Sequence, residues 1–327
     1  MKNALITGGT GFVGKHLARL LLDNGYSVSA IGNDESVEAM KGGFAKYGDN
    51  LLCIWSDITS YESIHRIISD IKPGFIFHLA AQSSVGLSWI NPSLTYRTNI
   101  ESTVNLLESI KVQAGGGSLS IYSPKVLIVG SSEEYGKIQP EDLPVNEEAA
   151  TNPSSHYAIS KMAQERAALL YCDTSDIDVT LVRAFNHIGP GQSPTFVVSD
   201  FTKQIAEIEK GLMPPTIYVG NLEAKRDFTD VRDIVNGYYQ LAKSGGKGHI
   251  YNIGSGKSVG VKYILDTAIS FATCKIDIEI DKRKFRPIDV SDIYADITKI
   301  CRDTGWSPKI PIEKSIEDSL NYWRETL

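Results

Sequence analysis

MKNALITGGTGFVG, residues 1–14, decides the fold. A short apolar strand through Ala4, Leu5 and Ile6 runs into Gly8-x-x-Gly11-x-x-Gly14, and a helix-like segment follows at once. Glycines at this spacing keep the turn tight, bring backbone close to a phosphate and let the helix pack on its strand. A pyrophosphate would then rest on the free N–H groups and positive end of that helix. An ordinary strand–turn–helix with incidental glycines is the competing reading. The strand before and the helix after favour a dinucleotide site.

Outward from this turn, strand and helix patterns alternate as in a doubly wound parallel α/β sheet of the Rossmann type. Strands are expected at Asn3–Thr7, Ser27–Ile31, Leu51–Trp55, Phe75–Leu79, Lys125–Val129 and Val179–Arg183, with helices over Phe12–Asn24, Ser60–Ile71, Leu94–Val112 and Tyr157–Cys172. The Gly-rich stretch Ala114–Ser120 reads as a surface insertion. After residue 185 the rhythm breaks, at Gly189-Pro190-Gly191, Met213-Pro214-Pro215 and the basic run Lys282–Arg286. At 327 residues the chain is long for one core. The expected division is a dinucleotide-binding domain of residues 1–185 plus 229–256, and a smaller C-terminal α/β substrate domain of 186–228 plus 257–327.

A net charge of −6 argues against non-specific binding to nucleic acid or anionic membranes. The four cysteines, Cys53, Cys172, Cys274 and Cys301, have neither metal-ligand nor disulfide-framework spacing and read as reduced thiols. No metal is expected. A strand beginning by residue 3 leaves no room for a signal peptide, and no apolar run approaches a membrane span. A cytoplasmic protein is expected.

Tyr157-Ala-Ile-Ser-Lys161 is the second informative stretch. Residues at i and i+4 share a helix face. A lysine charge ~5 Å from a phenol, at an effective dielectric of ~20, contributes roughly 3 kcal/mol and draws a group that titrates near 10 toward neutrality. Lys161 is therefore expected to make Tyr157 a usable acid–base. Gly130-Ser-Ser-Glu-Glu-Tyr-Gly136 follows the fifth strand, at the sheet edge where ligands gather. A serine there suits hydrogen bonding to a reacting oxygen, and Glu133 suits either a second proton transfer or an orienting role. Where the second strand ends, Gly32-Asn33 lacks the acid that reads a ribose 2′-hydroxyl, while Asp34 and Glu35 come late. That tilts the expectation to NADPH, with NADH possible. Arg226 and Arg286 offer planar forks for a nucleotide diphosphate, or else surface ion pairs such as Arg226 with Asp227 or Asp230. His78 and His187 read as packing or hydrogen-bonding residues.

With the glycine turn, the Ser-x25-Tyr-x3-Lys spacing and Asn99, the chain resembles the extended short-chain dehydrogenases/reductases over its whole length. His78-Leu-Ala-Ala81, Asn91-Pro92 and Phe185-Asn186 add to this. Within that group Gly130–Gly136, Phe185–Gln192 and Val219–Asp233 resemble the GDP-6-deoxy-D-mannose reductases, which reduce GDP-4-keto-6-deoxy-D-mannose to GDP-D-rhamnose. The resemblance implies that Gly8, Gly11, Phe12, Val13 and Gly14 hold the pyrophosphate, that Asp57 and Ile58 lie beside the adenine, and that Leu79 and Ala80 line the cleft. Asn33 would stand at the ribose end, and Tyr157 and Lys161 would also bind the nicotinamide ribose. Ser131 takes the hydroxyl role of a Ser-Tyr-Lys triad, with Ser132 as fallback. Ser131, Glu133, Asn186, Lys203, Arg226, Arg286 and Asp289 would contact a GDP-sugar.

His156 departs from the proline usual before the catalytic tyrosine, a change expected to perturb a loop only. The resemblance also implies a homodimer through the helices around Leu94–Val112 and Tyr157–Cys172, where Ala163 and Ala167 form a small-residue stripe. The sister activity, GDP-mannose 4,6-dehydratase, is the nearest alternative. Those enzymes continue the Asn186-His187 loop with Glu-Ser-Pro, where this chain has Ile-Gly-Pro-Gly. An epimerase and a non-catalytic dinucleotide sensor are more remote alternatives.

Overall fold

The computed structural model of the chain describes residues 2–115, 122–285 and 290–327. The Gly-rich stretch after Gly115 therefore lies mostly outside the described residues. Seven parallel strands form one sheet: β1 (Asn3–Thr7), β2 (Ser27–Gly32), β3 (Leu51–Trp55), β4 (Phe75–His78), β5 (Lys125–Val129), β6 (Asp178–Ala184) and β7 (Ile250–Ile253). Their spatial order is β3-β2-β1-β4-β5-β6-β7. The order reverses between β1 and β4, which opens a crevice beyond their carboxyl ends. The expected Rossmann sheet is present. Its seventh strand, Ile250–Ile253, follows the Gly245-Gly246 break and pairs with β6.

Helices cover both faces, so the central strands are near-continuous apolar runs instead of alternating ones. Leu5, Ile31, Ile76, Val126, Ile128 and Leu181 pack with Ile64, Ile68, Leu106 and Ile110 on one side. On the other, Ala4, Ile6, Ala30, Phe77 and Leu127 meet Leu17, Leu21, Ile234 and Tyr238. Each fully buried aliphatic side chain contributes about 1.5–3 kcal/mol relative to exposure, which makes these two layers the main source of rigidity beneath the crevice.

The segment expected as one helix over Leu94–Val112 is helical in three parts. Pro92–Tyr96 leads into a π-helical turn, Arg97–Glu101, and then Ser102–Gln113. Asn99 sits in that turn, fully buried, with its amide donating to the Gln82 carbonyl (3.2 Å) and Ser160 Oγ (2.9 Å). Such a bulge re-aims a side chain without ending the helix.

Beyond β6 a further core forms from Val197–Glu209, Val261–Ser270 and Ile312–Thr326, built on Val198, Phe201, Ile205, Ile264, Leu265, Ile316 and Leu320. Short strand pairs support it. Asn186–Ile188 runs parallel to Phe228–Asp230, and Thr216–Val219 to Asp277–Ile280. Among the described residues, no helix is long and apolar enough to cross a membrane.

Candidate active site

The first turn is a backbone cradle. Gly8 has φ +67°, and a Cβ on it would lie 2.9 Å from the backbone N and Cα of Ala80. A side chain at Gly14 would run into the Gly8 carbonyl and the Gly9 backbone. Phe12 and Val13 open the helix Phe12–Asp23, whose N-cap, Gly11, provides no side-chain cap. Its first N–H groups therefore face outward without an intrahelical acceptor, as pyrophosphate binding needs. Leu79 and Ala80 form the opposing wall, tied to β1 by Leu79 N to the Thr7 carbonyl (3.2 Å) and Ala80 N to Thr7 Oγ1 (3.3 Å). This cradle fits a dinucleotide.

The two histidines are structural, as expected. His78 is locked between Thr7 Oγ1 (2.8 Å) and Thr103 Oγ1 (2.9 Å), and burial drives its pKa down to about 3. The His187 ring lies nearly parallel to Phe12, with centroids 6.2 Å apart, and burial keeps it neutral-leaning too.

At the expected ribose end, the space beside Gly32 is already filled. A Cβ on Gly32 would drive into the Thr10 side chain. Thr10 Oγ1 in turn bonds Ser36 Oγ at 2.7 Å. Asn33 is the N-cap of Asp34–Gly43, its Oδ1 accepting from Ser36 N at 3.1 Å. Asp57 Oδ1 accepts from Thr59 N and Thr59 Oγ1, both at 2.8 Å, and these bonds hold its carboxyl below the usual range. Ile58 packs on the adjoining core layer. One substitution tests this end. Gly32→Asp alone is expected to weaken NADPH and NADH alike, by tenfold or more. Thr10→Gly added to it is expected to restore NADH binding selectively, read by quenching of protein fluorescence. A clean gain of NADH affinity by Gly32→Asp alone would show that Thr10 does not control this position.

Ser131, Ser132 and Glu133 follow β5 in a short helical turn, Ser132–Tyr135, capped by Ser131. Glu133 N donates to Ser131 Oγ (3.2 Å). Ser131 and Ser132 are both buried, and Glu133 is half-buried. Tyr157 lies in the first turn of the helix His156–Ser175, started by Ser155 Oγ accepting from Ala158 N (3.1 Å). Burial pushes the Tyr157 phenol well above its ordinary value, while the Ser131 hydroxyl draws it back and the charges of Glu133 and Glu134 raise it. Ser131 and Tyr157 are thus brought together.

Lys161 was expected to draw the Tyr157 phenol toward neutrality; in the structure burial dominates and the phenol lies above its ordinary value. The Lys161 ammonium is drawn to the Val129 carbonyl (2.8 Å) and Gln164 Oε1 (3.1 Å), and burial lowers its own pKa, against the opposing charge of Glu134. His156 also differs from expectation. It is no loop residue: it occupies the first helical position, where proline is favoured. Its Nδ1 bonds Tyr96 Oη (2.8 Å) and its ring meets Trp89 edge-on, so it ties the tyrosine helix to the segment 85–96.

The candidate sugar-nucleotide contacts are dispersed over the second core. Asn186 starts the short strand paired with Phe228–Asp230. Lys203 pairs with Glu207 (3.4 Å) and lies over the Trp323 ring. Arg226 is largely buried and donates to the Lys225 carbonyl (2.7 Å). The carboxylates suggested as its ion-pair partners have other strong contacts. Asp227 accepts from Ser255, Gly256 and Ala295, and Asp230 from Arg232 and Ser315. Arg286 and Asp289 lie outside the described residues. Sequence reading passed over Thr10, Gln164 and Glu134. The last had a signal in the Ser131-x-x-Glu134 capping-box spacing.

With this geometry in view, comparison with known proteins is decisive for the family. A model of the family described as GDP-mannose 4,6 dehydratase matches residues 5–319. The chain belongs to that family, within the extended short-chain dehydrogenases/reductases. It is 29% identical over 318 residues to the GDP-6-deoxy-D-mannose reductase of Pseudomonas aeruginosa, covering 97% of this chain and 96% of that protein. It is 28% identical over 354 residues to the GDP-mannose 4,6-dehydratase of Sinorhizobium fredii, covering 99% and 98%. Among solved structures, RMD from Pseudomonas aeruginosa complexed with NADPH superimposes with a TM-score of 0.85 over 100% of both chains, at 28% identity. The UDP-glucose 4-epimerase of Thermotoga maritima with UDP-glucose gives 0.83 over 99% of both, at 27% identity. The protein is an NAD(P)-dependent enzyme of nucleotide-sugar chemistry.

Proposed function

We propose that the protein is a reductase that converts the 4-keto group of GDP-4-keto-6-deoxy-D-mannose to the alcohol of GDP-D-rhamnose, with NADPH preferred over NADH. The observation that carries this reading is the loop after Asn186. His187-Ile-Gly-Pro-Gly-Gln192 is tied to the cofactor helix by His16 Nε2 and the Pro190 carbonyl (3.0 Å), and is closed on itself by Gln192 Nε2 to the His187 carbonyl (2.8 Å). Its sequence is of the reductase kind and lacks the Glu-Ser-Pro of the dehydratases. Residues 1–185 plus 229–256 would hold the dinucleotide, through Gly8, Gly11, Phe12, Val13, Gly14, Asn33, Asp57, Ile58, Leu79 and Ala80. Residues 186–228 plus 257–327 would hold the sugar nucleotide, through Asn186, Lys203, Arg226, Arg286 and Asp289.

When bound, the reduced nicotinamide supplies a hydride to carbon 4. Tyr157 donates its proton to the carbonyl oxygen as that carbon is reduced, and Ser131 donates a hydrogen bond to the same oxygen. A phenol held high by burial is protonated at neutral pH, the state that reduction requires. Lys161 orients the nicotinamide ribose and, once drawn from the Val129 carbonyl, supports the phenol. Absorbance of the reduced cofactor tests the reading. Stoichiometric oxidation on adding GDP-4-keto-6-deoxy-D-mannose is the expected result. Keto-sugar formed from GDP-mannose without added cofactor would overturn it in favour of the dehydratase, a reading that Glu133 beside Tyr157 favours. The chain is also expected to form a homodimer in solution, through the tyrosine helix and its neighbours, where Leu94, Ile159 and Leu170 are exposed. A monomeric mass by sedimentation would reject that.

A further inference from the structure

Behind Ser131 lies a buried carboxyl that the proposed chemistry does not use. Glu134 is fully buried. Its Oε1 accepts the Ser131 backbone N–H at 2.7 Å, while Oε2 has no hydrogen-bond partner. Gly130 leaves room for it, since a Cβ there would sit 2.5 Å from Oε1. The nearest cation, Arg183 on β6, is held in a two-pronged pair by Glu165 at 2.7 and 2.9 Å, leaving its Nε 3.8 Å from Glu134. One guanidinium thus stands between two buried carboxyls. Lys161 on the tyrosine helix is the other cation that acts on Glu134. The groups that act on or are acted on by this carboxyl are Glu165, Lys161 and Tyr157 from the helix and Arg183 from β6.

We propose that Glu134 is a positioning residue: within the buried cluster it shares with Arg183, Glu165 and Lys161, it fixes the turn that presents the Ser131 hydroxyl and supplies the counter-charge of the Lys161 ammonium. Burial and the Glu165 charge push its carboxyl up from the ordinary range, and burial pulls Lys161 down, so the two titrate toward each other. Loss of the Glu134 proton leaves an anion whose charge acts on Lys161, which then holds its own proton to higher pH. The inference on catalysis rests on the reductase reading. The inference on Lys161 does not.

Glu134→Gln conserves the acceptor for Ser131 N–H and removes the charge. The alkaline limb of kcat is expected to move about 1–2 pH units lower, with KM for the keto-sugar within about twofold. Glu134→Asp retains charge but is too short to reach Ser131. It is expected to restore the limb while kcat falls several-fold. Carbon-13 NMR titration of Lys161 in the ligand-free protein, assigned by its loss in Lys161→Met, reads the same coupling without turnover. A Lys161 titration lowered by Glu134→Gln supports the proposal even if the wild type fails to reduce the keto-sugar, which would reject only the reductase reading. An unmoved Lys161 titration in Glu134→Gln overturns it. Where that variant does not fold, a Lys161 titration in Glu134→Asp displaced from wild type by more than one pH unit does so instead.

Discussion

Tyr157→Phe is expected to lower kcat on the keto-sugar by roughly 10²–10⁴-fold, with NADPH affinity within about twofold. The phenol combines a proton to donate with a seat beside Ser131. Phenylalanine conserves the buried ring, so packing in the first turn of the helix is retained while the proton is removed. The loss corresponds to about 3–5 kcal/mol of transition-state stabilisation. Initial rates from reduced-cofactor absorbance, set beside a cofactor fluorescence titration, separate the two effects. A variant that retains more than a tenth of the wild-type rate would remove Tyr157 from the proton-transfer role.

Arg183→Met is expected to have the largest effect on stability, about 3–5 kcal/mol in urea unfolding. Arg183, Glu165 and Glu134 are all buried, and the guanidinium also donates to the Glu147 carbonyl at 3.2 Å and lies 4.8 Å from the Tyr135 ring centroid. Removing the cation alone leaves two carboxyls in a low-dielectric interior without their partner. The double variant Arg183→Met/Glu165→Leu is expected to recover part of the loss, because an apolar replacement of both partners avoids the uncompensated charge. A single-variant cost below 1 kcal/mol, or no recovery in the double variant, would show that the pair does not stabilise the fold. The Ser131 turn leans on this cluster through Glu134, so the same substitution is expected to lower kcat as well.

These results separate what is local in the chain from what is not. The glycine turn, the strand–helix alternation and the tyrosine–lysine spacing are short-range patterns, and short-range patterns survive in a single sequence. A strand such as Asn3–Thr7 is apolar because both its faces are covered, and Gly14 is needed because a side chain would strike the preceding turn. These features determined the Rossmann sheet, the dinucleotide cradle and the position of Tyr157 one element beyond β5. Family membership follows from sequence too, since the matching model spans nearly the whole chain.

The electrostatic state of the site depended on folding. Lys161 is four residues from Tyr157, so the spacing alone suggested a direct charge effect. Only the packing of the helix on β5 brings its ammonium to the Val129 carbonyl. Glu134 stands beside Glu133 in the chain, yet one is fully buried and the other half-buried; the capping-box spacing marks Glu134, but its burial comes only from packing. Gly32 and Thr10 are 22 positions apart, and their contact exists because β1 and β2 are neighbours in the sheet. Sequence alone determined the glycine turn after β1 and the places of Ser131 and Tyr157 along the chain. Burial and long-range contacts, which arise only when distant segments pack, decided which side chains at the site carry charge.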